Sequence, residues 1–226
     1  MQPYFLPYLG YFQLIHSADT FVIYDDVNYI KGGWINRNRI LGRQADSELI
    51  TLEVLGASPN KLINEVEVGR NRQKLLKTIA QRYTRAPQFD AIYPLVSQIL
   101  AVDESNLTRF LFLQLQLICR YLDIEPTWKL SSDIAEDSNL KGQDRVIAIC
   151  QALGASTYIN ASGGKSLYSH AAFDEQQLEL SFIESKAIEY QQFSDDFVPF
   201  LSIVDVLMFN DLEACKSLLR EYSLVD

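Results

Sequence analysis

Residues 8–26, YLGYFQLIHSADTFVIYDD, change hydrophobic period midway. In the first half Leu9, Phe12, Leu14 and Ile15 recur near the spacing of a helical face. In the second half Thr20-Phe21-Val22-Ile23-Tyr24 forms a compact β-branched and aromatic run that ends on Asp25-Asp26. The pattern predicts a helix feeding a buried strand. Ligands of open α/β sheets gather outside the carboxyl ends of strands. Asp25 and Asp26 are therefore candidate catalytic residues, either as a base or as holders of a substrate amine or hydroxyl. The same doublet also suits a solvated turn or a helix cap.

Working outward, residues 25–39 (DDVNYIKGGWINRNR) read as a long polar loop, followed by strands near 48–54 and 64–68. The period then turns helical over 71–82, 87–101 and 106–122. A strand is expected at 127–130, a helix over 142–153 closed by Gly154, and strands at 156–160, 178–184 and 187–192. Helices over 202–209 and 211–221 end the chain. Strands alternate with helices at both ends. That order predicts an α/β fold with a mostly parallel, Rossmann-like sheet. The chain reads as one α/β domain over 1–226, with residues 70–125 as a helical layer or subdomain.

Composition narrows the function. The 226 residues hold 20 Lys or Arg against 29 Asp or Glu, a formal charge of −9. With 48% apolar and 22% charged residues, the chain is too apolar for a disordered protein. The acidic balance argues against general nucleic-acid binding, which needs a basic footprint. A small anionic substrate needs only a local cluster of cations and N–H groups. The three cysteines and two histidines show no CxxC pair and no zinc spacing. Each cysteine reads as a small buried apolar residue, and His16 and His170 as surface residues. No apolar run reaches the ~18 residues of a bilayer span. The N-terminus lacks the basic start and apolar core of a signal peptide. The expectation is a cytoplasmic protein with no membrane span.

The chemistry-bearing residues cluster in four places. Lys31, Trp34, Asn36, Arg37, Asn38 and Arg39 fall within nine positions. Trp can stack on a base or sugar, Arg can chelate phosphate and Asn can read hydroxyls. Ser162-Gly163-Gly164-Lys165 follows a strand, where glycines let backbone approach a ligand and N–H groups nest an anion; a plain tight turn fits equally well. It is neither a Walker A loop nor GxGxxG. The opening Gln2-Pro3-Tyr4-Phe5-Leu6-Pro7-Tyr8-Leu9-Gly10-Tyr11-Phe12 sets Pro7 in a first helical turn. It reads either as an anion-binding helix start or as a rigid aromatic-packed one. Asp205, on an apolar helix after Ser202, is too costly to bury unpaired, so it caps, pairs or contacts ligand. No Gly-x-Ser-x-Gly elbow occurs.

The runs MQPYFLPYLGYFQLI, FVIYDDVNYIKGGWINRNRI, YINASGGKSLY, and YQQF with FVPFLSIVDVLMFN together resemble the WbqC-like family of bacterial proteins. The resemblance covers nearly the whole chain in order. It implies, ahead of Gln2, the short apolar strand with which members typically begin. The family's genes are associated with surface-polysaccharide (O-antigen) synthesis, and a glycine-transferase role has been proposed for some members. The resemblance thus implies transfer of an aminoacyl or acyl group to an amino sugar carried on a nucleotide. The residues matching its strongest blocks include Gln2, Tyr4, Tyr11, Asp25, Asp26, Trp34, Asn36, Arg37, Asn38, Gly164, Ser202 and Asp205.

A looser resemblance, to nucleotidylyltransferases, places Tyr8-Leu9-Gly10-Tyr11 where those enzymes carry HxGH at the start of a helix. It implies a related N-terminal strand-helix-strand scaffold, but both histidines are Tyr here, which removes the imidazolium donors to a transferring phosphate. Three readings follow. The first is a transferase in which Asp25 or Asp26 deprotonates or orients the amine. Lys31, Arg37 or Lys165 holds phosphate, and Trp34 or a tyrosine such as Tyr8 stacks. The substrate-binding set then comprises Gln2, Tyr4, Tyr8, Tyr11, Lys31, Trp34, Asn36, Arg37, Asn38, Ser162, Gly163, Gly164, Lys165, Ser202 and Asp205. The second is a non-catalytic module binding a nucleotide sugar or polysaccharide precursor. The third is nucleotidyl transfer. No cofactor or metal is assigned. The partner is a small-molecule substrate. A tRNA-borne donor stays open, and exposed aromatics would permit a homodimer.

Overall fold

A computed structural model describes residues 1–44, 46–134 and 139–226. Helix α1 spans Leu9–His16 and runs directly into strand β1, Thr20–Ile23. Strands β2 (Arg37–Leu41), β3 (Ser47–Thr51), β4 (Val54–Leu55) and β5 (Glu67–Val68) follow. Helices α2 (Arg72–Tyr83), α3 (Phe89–Ala101) and α4 (Leu107–Tyr121) come next, then β6 (Thr127–Leu130). The last third holds α5 (Gly142–Ala152), β7 (Thr157–Ala161), α6 (His170–Asp174), β8 (Glu179–Ser185), α7 (Ile203–Phe209), α8 (Leu212–Leu218) and β9 (Tyr222–Val225).

Helix α1 is buried on most of its surface, including Tyr11, Phe12, Leu14 and Ile15. Its one amide side chain, Gln13, is fully buried and fully bonded. It donates to the Leu218 and Glu221 carbonyls at 2.8 and 3.2 Å and accepts from Ser185 Oγ at 2.5 Å. A polar group in this position is tolerable only because every bond lost to water is replaced. The helix thereby ties the start of the chain to α8 and β8.

Among the described residues the mostly parallel sheet is not found; the fold is mixed α/β, with four small sheets described. β1 pairs in parallel with β6, Phe21 opposite Trp128 and Ile23 opposite Leu130. β2 and β3 form an antiparallel hairpin, as do the two-residue strands β4 and β5. β8 takes β7 in parallel on one side and β9 antiparallel on the other. Of the expected strand-helix-strand start, the helix and the second strand form as α1 and β1; beside β1 the Met1 amine donates to the Val22 carbonyl and the Met1 carbonyl accepts from the Tyr24 N–H. Helices α2 to α4 place Leu76, Ile79, Ile92, Val96, Phe110 and Leu115 in the same apolar core as α1 and β1. A second, smaller core gathers Ile147, Cys150, Phe173, Leu178, Leu180 and Phe182.

Four boundaries depart from expectation. β2 begins inside the polar run, because Asn38 and Ile40 face inward while Arg39 faces out. Residues 187–192 are not a strand; their hydrogen bonds go to side chains and turns. The expected strand at 64–68 is a 3-10 turn followed by the two residues of β5. The expected helix over 211–221 ends at Leu218 and gives way to β9.

Candidate functional site

The carboxyl ends of β1 and β6 lie side by side because the two strands are parallel. β1 delivers Tyr24, Asp25 and Asp26, and β6 delivers Ser131 and Ser132. Asp25 is 2% exposed, and donors surround its carboxylate. It accepts from Ser131 Oγ and Ser132 N–H, both at 3.1 Å, from Ser132 Oγ at 2.9 Å and from Asn64 Nδ2 at 3.2 Å. Its own N–H donates to Ser131 Oγ at 3.1 Å. The side chain is committed to holding β6 and the 63–65 turn against β1.

Asp26 is the more open of the two. Ser131 Oγ donates to it at 2.5 Å, and Arg145 Nη2 of α5 pairs with its other oxygen at 2.5 Å. Ser131 has one hydroxyl proton within reach of both acids, so one residue links them. Arg145 also lies 5.1 Å from the Tyr24 ring centroid. Burial pushes the Asp26 carboxyl upward, but hydrogen bonds from Arg145 and Ser131 outweigh it, and the group sits below the usual carboxylate range. Asp26 is thus an anion at neutral pH and a weak base. It suits holding a cationic or hydrogen-donating group better than removing a proton.

The tryptophan loop makes a second cluster. Trp34 is 42% exposed, with the guanidinium of Arg37 5.8 Å and that of Arg39 5.5 Å from its ring. Arg37 donates to the Gly33 carbonyl at 2.9 Å and to the Gly32 carbonyl. Lys31 is exposed on the same turn. The two asparagines of this run point the other way, into the core. Asn36 accepts from Tyr29 Oη and donates to the Leu52 carbonyl, each at 2.8 Å. Asn38 donates to the Phe5 and Leu6 carbonyls at 3.2 and 2.7 Å.

The opening segment is built as scaffold. Leu6 has a positive φ of 43°. Its N–H donates to Gln114 Oε1 at 3.0 Å, and its carbonyl also accepts from Ser202 Oγ at 2.7 Å. Gln114 Nε2 donates to the Tyr4 carbonyl at 2.8 Å. Tyr11 is 2% exposed and donates to the Gln2 carbonyl at 2.8 Å, with its ring 5.6 Å from that of Tyr4. Tyr8 is exposed; Gln2 and Tyr4 are half-buried. At the second histidine position of the nucleotidylyltransferase pattern, the Tyr11 hydroxyl is therefore spent on backbone.

Asp205 has no exposure and accepts three bonds: from Tyr83 Oη at 2.8 Å, Tyr190 Oη at 2.6 Å and Gln192 Nε2 at 2.7 Å. Burial raises its carboxyl above the usual range despite these donors. Ser162, Gly163, Gly164 and Lys165 lie in a 3-10 turn, Ser162–Leu167, directly after β7. Neither glycine has a positive φ, and a Cβ on Gly163 would meet open space. Lys165 donates to the Asp226 carbonyl at 2.9 Å and lies 3.5 Å from Glu184.

The structure thus joins Asp25 with Asp26 through Ser131, and Trp34 with Arg37. The Asp pair, the tryptophan loop and the Lys165 turn each have their own partners. Asn64, Ser131, Ser132 and Arg145, which hold the acid pair, and Gln114, which holds the opening segment, were not among the residues singled out from the sequence. Among the described residues no group of three or more His, Cys, Asp or Glu side chains is placed to hold a metal ion. Burial pushes the Cys150 thiol up to about 11 and that of Cys215 up to about 12, and raises Cys119 as well. All three stay protonated and unreactive. Among the described residues no helix is long and apolar enough to cross a membrane.

Comparison with known proteins agrees with the sequence blocks. The model of the WbqC-like protein family matches residues 2–217. A protein of Mycobacterium tuberculosis described as "Uncharacterized protein Rv1507c" is 29% identical over 216 residues, covering 93% of this chain and 91% of that one. No solved structure matches. With nearly its whole length matched, the chain belongs to the WbqC-like family.

Proposed function

We propose that this WbqC-like protein is a transferase of bacterial surface-polysaccharide synthesis. It moves a glycyl or other acyl group onto the amine of an amino sugar, carried on a nucleotide. The observation that carries this reading is the Asp26–Arg145 pair at the carboxyl end of the parallel β1–β6 pair, where α/β proteins bind ligands. Asp26 stays ionised and accepts from the incoming amine, setting its lone pair toward the donor. The nitrogen attacks the acyl carbonyl, a C–N bond forms, and the donor's leaving group departs with the bonding pair. The amine proton passes to solvent or to the leaving group. Proximity supplies the rate, since no thiol in the chain is a nucleophile and a direct transfer needs none. Trp34, between Arg37 and Arg39, offers a stacking face and phosphate contacts for the nucleotide. Lys31, exposed on the same turn as Trp34, adds a further phosphate contact.

The test is mass spectrometry of amino-sugar nucleotides incubated with glycine and ATP, glycyl-tRNA or a glycyl thioester. A product heavier by one glycyl group is expected. Asp26→Asn should lower turnover by about 10²-fold, the scale of a misplaced reactant, while binding changes little. A non-catalytic module for the same ligand is the second reading, favoured by the depressed Asp26 and the protonated thiols. Saturable binding with no product from any donor would establish it instead.

A further inference from the structure

The turn after β2, the end of α2 and residues 192–196 enclose a cavity of about 420 Å³. Arg43, Arg82 and Arg85 line it, and among the described residues Asp196 is the one acid on its wall. Arg82 is bound to Glu48, with Nε at 2.6 Å and Nη2 at 2.5 Å. Arg43 and Arg85 meet no carboxylate among the described residues. In a chain of net charge −9, two guanidinium groups outside any ion pair, against a single acid among the described residues of the wall, leave a local positive field. The Arg85 guanidinium also lies 5.5 Å from the ring of Phe193, which is 42% exposed yet held edge-on against Phe209 at 4.7 Å.

Leu41 and Gln192 both line the cavity, and both are fixed by the Asp205 node. The Leu41 N–H donates to Tyr83 Oη at 2.9 Å, which in turn donates to Asp205. Gln192 donates to Asp205 and accepts from the Val198 N–H at 2.8 Å. A second cavity, of about 460 Å³, serves as contrast: Arg70 and Arg72 face Asp103 and Glu104 there, so its charges balance.

We propose that the cavity beside β2 and α2 binds a phosphate-bearing small molecule of nucleoside diphosphate size. Arg43 and Arg85 hold the phosphates, and Phe193 receives the planar ring. Arginine forks match phosphate oxygens, and aromatic faces take a base without choosing its sequence. The volume falls in the range of small-ligand sites. The site stands independently of the transferase reading, because neither Asp26 nor Arg145 lines it.

Calorimetric titration of the full chain with ADP, UDP, pyrophosphate and adenosine tests this. Saturable binding of the diphosphate nucleotides, weakened by added salt, is expected. Arg43→Gln and Arg85→Gln should each cost about tenfold in affinity, the loss of one charge-assisted contact. Both side chains are exposed, so unchanged melting temperatures confirm that these variants fold. Phe193→Ala should weaken the nucleotides but not pyrophosphate, and Arg70→Gln should change nothing. Absence of saturable binding overturns the proposal, as does adenosine binding as tightly as ADP or Arg70→Gln weakening ADP as much as Arg43→Gln. Pyrophosphate matching ADP, with Phe193→Ala silent, would overturn the nucleotide assignment in favour of an inorganic phosphate source.

Discussion

Asp26 and Asp205 look alike in the sequence, each an acid beside apolar residues, yet their surroundings move them in opposite directions. Asp205 is sealed among three neutral donors, and burial raises its carboxyl. Asp26 keeps part of its surface, faces a guanidinium and sits below the ordinary range. Neutral donors satisfy lone pairs without supplying charge, so they cannot offset the full cost of burying an anion. A paired cation does so, and Asp26 stays ionised while keeping part of its surface exposed. The two acids differ here in the chemistry of their partners, not in the acid itself.

The sharpest test of that contrast removes the sealed acid. Asp205→Ala orphans the buried Tyr83 hydroxyl, the half-buried Tyr190 hydroxyl and the Gln192 amide, and should cost about 3–5 kcal/mol in urea unfolding. Asp205→Asn keeps an acceptor and should cost about half as much. A loss below about 1 kcal/mol for the alanine variant would show that the node is not what ties α2, α7 and the 190–198 segment. At the open edge, Ser131→Ala removes the hydroxyl shared by Asp25 and Asp26. It should cost about 1–2 kcal/mol and move the Asp26 titration upward in NMR, because one of its stabilising donors is gone.

The pH dependence should separate the two acids by sign. The Asp26 contribution is present above the unfolded carboxylate value of about 3.9 and is lost as pH falls through its lower folded value. The Asp205 contribution is present below about 3.9 and is lost as pH rises through its higher folded value. Denaturation across this range should show Asp26→Asn flattening the acid limb and Asp205→Asn flattening the limb above it. The smallest effect belongs to Trp34→Ala. The ring is exposed, so stability should change by no more than about 0.5 kcal/mol, while affinity for an amino-sugar nucleotide falls. A large loss of stability would make Trp34 a packing residue instead.

How far the sequence carried depended on how local each cue was. Helix α1, β1 and α4 were legible because Phe12, Ile15, Phe21, Phe110 and Leu115 sit at the period of their elements. β2 was not, since Arg37, Asn38 and Arg39 have loop-like polarity; Asn38 is buried for its bonds to Phe5 and Leu6. The parallel sheet was overestimated because alternation of strands and helices does not reveal hairpins such as β2–β3. At the site, Asp25 and Asp26 were legible from position. Arg145 was not, because it lies more than a hundred residues away, and only the fold brings it there. One cue did exist: a cation in the first turn of a helix opposes the helix dipole and calls for a nearby anion. Asn64 and Gln114 gave no such cue, being ordinary amides until their contacts are known.

The Leu6 latch bears on how the protein is made. Its backbone is captured by Gln114 and, through the carbonyl, by Ser202, 108 and 196 positions further along. During synthesis the aromatic leader therefore leaves the ribosome long before either clasp exists. Phe5 and Leu6, wholly buried at the end, stay uncovered while most of the message is read. Contacts this distant in sequence close later than local ones, so Phe5 and Leu6 are among the last core residues to be covered.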